Sequence, residues 1–142
     1  MTTARRRLLA AAAMLACAGR VRAQAAAAGA VDERGRWIDA AFEMKRLAES
    51  WGDHPYGAVV VLDGRIVGEG PSRVVQLGDP DAHAERVALR DAQRRLGRQD
   101  LAGALLVSTS RPCRLCEQAA ARAGVARMLH GRDAHDAGRP MP

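Results

Sequence analysis

"GAVVVLDGRIVGEG", residues 57–70, carries two β-rich runs, Ala58–Leu62 and Arg65–Gly68, on either side of Asp63–Gly64. Asp-Gly between such runs signals a hairpin, because both residues tolerate the positive φ that a tight two-residue turn demands. Before it, "VDERGRWIDAAFEMKRLAESW" places Trp37, Ile38, Ala41, Phe42, Met44 and Leu47 at helical spacing, with Asp32 as the expected N-cap. Trp37 and Trp51 are expected to pack in the core. "GDHPYG" reads as a loop. After the hairpin, residues 71–81 read as a polar loop. A helix follows over Ala82–Leu96, with Val87, Ala88, Ala92 and Leu96 expected on its buried side. "GALLVSTS" is a short apolar strand, "CEQAAARAG" a helix stopped by Gly124, and "VARMLHG" a last strand. The order α-β-β-α-β-α-β implies an α/β fold: a mixed sheet with helices on its faces.

At 142 residues and 48% hydrophobic content, one domain with a real core is expected. With one Phe and one Tyr, that core must be aliphatic. The net charge of +6 is misleading as a sign of nucleic-acid binding. Arg5, Arg6, Arg7, Arg20 and Arg22 lie within residues 1–25, which contain no acid. Taking those five from the 22 basic residues leaves 17 against 16 acids, a net of +1. Residues 90–100, "RDAQRRLGRQD", read as a solvated helix face, broken by Asp91 and Asp100, rather than an RNA-binding patch.

The arginines lead an apolar run at 8–18 that is too short to span a bilayer comfortably. Small residues follow it, so residues 1–25 read as an export signal cleaved near Ala23 or Ala25. The "RRRLL" run is compatible with the twin-arginine route, and the expected location is the periplasm. Cys17 raises lipoprotein processing, although "MLAC" is a poor lipobox. The alternative is a cytosolic chain with an Ala-rich leader. Residues 26–31 read as an Ala-rich linker, 32–132 as the folded domain and 133–142 as a flexible tail.

The chemistry sits at the starts of two helices. "DAHAERVAL", residues 81–89, puts His83 and Glu85 on a first turn, and "RPCRLCEQA", residues 111–119, does the same for Cys113 and Cys116. The two cysteines are one helical turn apart, so both sulfurs can point the same way. The helix dipole there is expected to lower their pKa values and prepare them as ligands. Two thiolates and an imidazole suit zinc. Three ligands leave a tetrahedral position open, as in catalytic zinc sites, where a bound water becomes acidic. Glu85 can reach that position and is better suited to carry protons than to bind the metal. A redox or structural disulfide between Cys113 and Cys116 is the competing reading.

"HAE" with "PCRLC" resembles the signature of the zinc-dependent cytidine deaminase superfamily. "GDHPYGAVVVLDGRIVGEG", "DPDAHAERVAL" and "AGVARMLHG" resemble its guanine deaminase and tRNA adenosine deaminase branch over nearly all of residues 33–132. The resemblance implies a three-layer α-β-α fold with a five-stranded mixed sheet, both metal-bearing helices starting at one edge. It implies one zinc ion held by His83, Cys113 and Cys116, with Glu85 moving protons from water to the ring nitrogen and then to departing ammonia. It places the N–H of Ala84 against the substrate and implies a base or nucleoside as that substrate, with a homodimer as the assembly.

Three positions depart from that branch. Ser72 stands where Asn usually grips the base, Arg111 replaces a Glu, and Arg114 replaces a Pro. The two arginines raise an anionic substrate or phosphate, against the plain alternative of solvated side chains. The short C-terminus suggests that pocket closure comes from another subunit or is lacking. Ser72, Ala84, His54 and Arg111 are the candidate substrate contacts, although His54 is more readily a solvent-facing loop residue. His130 and His135 are considered as a fourth ligand, which would close the site. Small-molecule deamination is the leading reading, with nucleic acid an unlikely partner. The alternatives are a tRNA adenosine deaminase if the chain is cytosolic, or a zinc-stabilised accessory protein with a degraded pocket.

Overall fold

The computed structural model describes residues 33–142; the expected leader and linker, Cys17 and the Asp32 cap lie outside the described residues. Helix α1 covers 33–50. The hairpin forms as expected, with β1 at Gly57–Leu62 and β2 at Arg65–Pro71, turning through Asp63 and Gly64 at φ of 50° and 74°. A one-turn helix α2, Val74–Leu77, occupies the expected polar loop. Then come α3 (Ala84–Leu96), β3 (Leu105–Ser108), α4 (Arg114–Arg122) and β4 (Arg127–His130).

The tail expected to be flexible instead forms a fifth strand, β5, at His135–Gly138. Gly131, at φ 75°, and Ala134, at φ 49°, turn the chain back so that β5 pairs antiparallel with β4. The Arg127 guanidinium meets the Asp136 carboxylate across that pair at 2.6 Å. Polar composition hid this strand, because an edge strand needs backbone pairing more than apolar side chains. The sheet order is β2-β1-β3-β4-β5, with β3 and β4 parallel and the other neighbours antiparallel.

Alternation along the strands builds the three layers. Ala58 and Val60 of β1 and Leu106 of β3 pack with Ala88, Leu89 and Ala92 of α3 and Ala120 of α4. Val59, Val61 and Val107 point the other way and pack with Ile38 and Ala41 of α1. Trp37 joins that second layer as expected, whereas Trp51 is 36% exposed, with the Arg73 guanidinium 4.9 Å over its ring.

Close approach of β2 to α3 sets the position of the helix that begins at His83. A Cβ on Gly68 would fall 2.4 Å from the Ala88 carbonyl oxygen, and one on Gly70 would fall 2.1 Å from that of Ala84. Helix α3 therefore buries Ala84, Ala88 and Ala92, a stripe repeating every four residues, with Leu89 beside it. Leu96, expected inside, is 37% exposed, and Val87 is half-buried. Buried Asp91 completes the junction: it accepts the Glu69 N–H of β2 at 2.9 Å and pairs with Arg94 and Arg95.

Candidate metal centre and substrate cavity

His83 and Cys113 are the N-cap residues of α3 and α4, and neither side chain caps its own helix. Their extended backbones turn the side chains away, while their carbonyls accept the Val87 and Glu117 N–H groups at 2.9 Å each. Cys113 Sγ lies 3.7 Å from His83 Nδ1, and Cys116 Sγ lies 3.5 Å from it. Donors on a tetrahedral zinc ion, at its usual bond lengths, stand about 3.6 Å apart for a nitrogen–sulfur pair. All three ligand atoms lie within 4.8 Å of one another, and both cysteines are free thiols rather than a disulfide. The group fits one zinc ion.

Among the described residues, no other such group of three is present, and neither His130 nor His135 joins this one. Those histidines face each other across β4 and β5, with ring centroids 5.7 Å apart. At Cys116 the shift runs opposite to the expected lowering. Burial pushes this thiol well up, the Glu85 charge adds to the shift, and Cys113 raises it further.

Glu85 is buried, and burial raises its carboxyl pKa above the usual range, against opposing contributions from its own N–H, Cys116 and His83. Cys116 Sγ donates to Glu85 Oε2 at 3.6 Å, so carboxyl and donor group share one space. Glu85 also lines a cavity of ≈ 230 Å³. The expected contacts His54, Ser72, Ala84 and Arg111 all line it, together with His83, Glu85 and Cys113. Tyr56, Val74 and Ser110 line it as well and were not anticipated. Arg114 does not line it.

Asp53, also unanticipated, organises one wall. Its buried carboxylate accepts the His54 N–H at 2.7 Å, the Ser72 hydroxyl at 2.8 Å, and the Val75 and Gln76 N–H groups at 2.9 and 2.8 Å. The last two are first-turn donors of α2, which otherwise lack partners. No local pattern signals this role, because three of the four donors are 19–23 residues away.

The chain is 37% identical over 99 residues to a tRNA-specific adenosine deaminase of Agrobacterium fabrum, covering 70% of this chain and 65% of that one. It therefore spans just under two thirds of that relative's length. A structure from a study of A-to-I editing by tRNA:A34 deaminases at the wobble position superposes with a TM-score of 0.66 at 36% identity, covering 68% of this chain and 70% of the other. Guanine deaminase from Bacillus subtilis superposes at 0.65 and 32% identity, covering 68% and 62%. With tRNA deaminases among these relatives, the expectation that nucleic acid is an unlikely partner gains no support. Residues 31–132 match the family described as the cytidine and deoxycytidylate deaminase zinc-binding region, and the chain belongs to that family.

Proposed function

We propose that the chain is a zinc-dependent hydrolytic deaminase of an amino-substituted ring, a guanine-like or cytosine-like base or nucleoside. The observation that carries this reading is the buried Glu85 carboxyl, which lines one cavity with His83 and Cys113 and lies 3.6 Å from the Cys116 sulfur. His83, Cys113 and Cys116 hold the zinc, which supplies Lewis-acid activation of water when bound. Glu85 accepts a proton from the attacking water and delivers it to the ring nitrogen. It then takes the proton of the hydroxyl now attached to the ring carbon and passes it to the amino group, which departs as ammonia, while the ring carbon keeps that oxygen as a carbonyl. A carboxyl held above its usual range by burial suits both halves of that transfer. The Ala84 N–H, a first-turn donor of α3, and the side chains of Ser72, His54 and Arg111 orient the ring. Guanine and its nucleosides are the first compounds to assay, followed by cytosine, cytidine and pterins. Ammonia release from any of them by zinc-loaded protein supports the proposal and sinks the accessory-protein alternative. Silence across the whole set contradicts it.

A tRNA substrate is the second reading, favoured by the tRNA-specific relatives. Arg86, Arg90 and Arg122 line a groove between α3 and α4, and Asp91, expected to interrupt this surface, is buried. A gel shift with tRNA at two salt concentrations separates the readings. Periplasmic export belongs to the same proposal and rests on the arginine-led apolar run; N-terminal sequencing of the mature protein tests it. A homodimer rests on the family tendency, and light scattering tests it.

A further inference from the structure

Arg111 stands on the cavity wall two residues before Cys113, and its side chain is exposed. Glu85, buried, marks the floor of the cavity, and Arg111 marks its rim. An arginine on a loose loop would simply be solvated, but this one is fixed on both sides. Ser108 Oγ donates to the Ser110 carbonyl at 2.6 Å. Pro112 is buried, and its ring restricts the preceding residue to extended backbone. The backbone that carries Arg111 is therefore held at the cavity wall, two residues before Cys113.

No ion pair reaches Arg111 among the described residues, although all four arginines of α3 have one. Among the described residues Glu85 is the only acid lining the cavity, and apart from Arg111 the other polar side chains there are hydroxyl, thiol or imidazole groups. The positive charge is felt locally: His130 is held below the usual imidazole range by burial, then by His135 and Arg111.

A guanidinium presents a planar fork of N–H donors that matches the paired oxygens of a carboxylate or phosphate. We propose that Arg111 is a specificity-determining residue that binds an oxyanion on the substrate, so that the preferred substrate is an anionic amino-substituted heterocycle. The inference rests on the deaminase reading for the placement of the ring and adds the chemical class of its substituent. A phosphate on an attached sugar and a carboxylate on the ring itself are the two sources of that oxyanion.

The test compares matched pairs on the zinc-loaded protein: guanosine with guanosine 5′-monophosphate, cytidine with cytidine 5′-monophosphate, and pterin with pterin-6-carboxylate. Calorimetry gives each Kd, and ammonia release gives each kcat/KM. In at least one pair the anionic member is expected to bind about tenfold tighter than its neutral partner, the scale of one charge-assisted bidentate contact. That ratio should fall to near one in Arg111→Gln, persist in part in Arg111→Lys, and survive in Arg114→Gln. The nucleotide pairs report the phosphate, and the pterin pair reports the carboxylate. Ratios near one in all three pairs, or a ratio unchanged by Arg111→Gln, overturn the inference. Absence of ammonia from every compound overturns the deaminase reading instead, while the binding ratios still decide this one.

Discussion

The Ser72 hydroxyl lies 2.8 Å from Asp53 and commits its single proton to that carboxylate. Toward the cavity, Ser72 is left with lone pairs only. Asp53 also gathers N–H groups from the His54 loop and from α2, so one buried carboxylate ties both segments of this wall.

Burial opposes ionisation of Asp53, but its hydrogen bonds from Gln76, Ser72, His54 and Val75 hold the carboxyl below its usual range. The folded chain thus binds fewer protons there than the unfolded chain. The stability this lends is full above the ordinary carboxylate pKa and disappears as pH falls through the depressed folded value. Asp53→Asn should cost about 1–3 kcal/mol at neutral pH and flatten the loss of stability below about pH 5. Urea unfolding across that range checks this, and a variant whose curve parallels the wild type contradicts it.

Glu85→Gln keeps the size and burial of the side chain and removes its capacity to carry a proton. Ammonia release should fall by about 10²–10⁴-fold while zinc content is unchanged. Elemental analysis beside the kinetic assay separates the two effects. Loss of metal would assign Glu85 to the ligand set, and retained activity would remove it from the chemistry.

His83→Ala removes one of three donors and should reduce zinc from about one ion per chain to a small fraction. In the wild type, chelation should lower the Tm, because the ion binds the folded chain and not the unfolded one. The same chelator should leave the Tm of His83→Ala where it was. A variant still sensitive to chelator would point to donors outside this group.

Gly70→Ala places a methyl group 2.1 Å from the Ala84 carbonyl oxygen, a helix backbone atom that cannot swing aside. Helix α3 must move, at a cost of about 1–3 kcal/mol or more. Because Ala84 lies between His83 and Glu85, the shift should also weaken zinc binding. Calorimetric titration of zinc into the folded variant tests this coupling; native affinity would show that the helix start is insulated from β2.

Much of this architecture was legible because short-range patterns carried it. Asp63–Gly64 between β-rich runs marked the hairpin, and the two pairs His83/Glu85 and Cys113/Cys116 marked the helix starts that the structure brings together. What escaped notice depends on partners distant in sequence. Asp53 acquires its role only when α2 folds back over it, and β5 exists only because β4 offers an edge. Leu96 was misplaced for a related reason: helical period alone does not reveal that glycines on β2 draw an alanine stripe inward. The direction of the Cys116 shift reversed because burial beside Glu85 follows from tertiary packing.

His83 opens a helix that rests on the hairpin, whereas both thiols belong to a helix that links two later parallel strands. A nascent chain halted anywhere short of residue 113 holds one donor of the three. A full donor set is thereby a sign of docking: all three ligands come together only once the hairpin side and the α4 side of the fold have met.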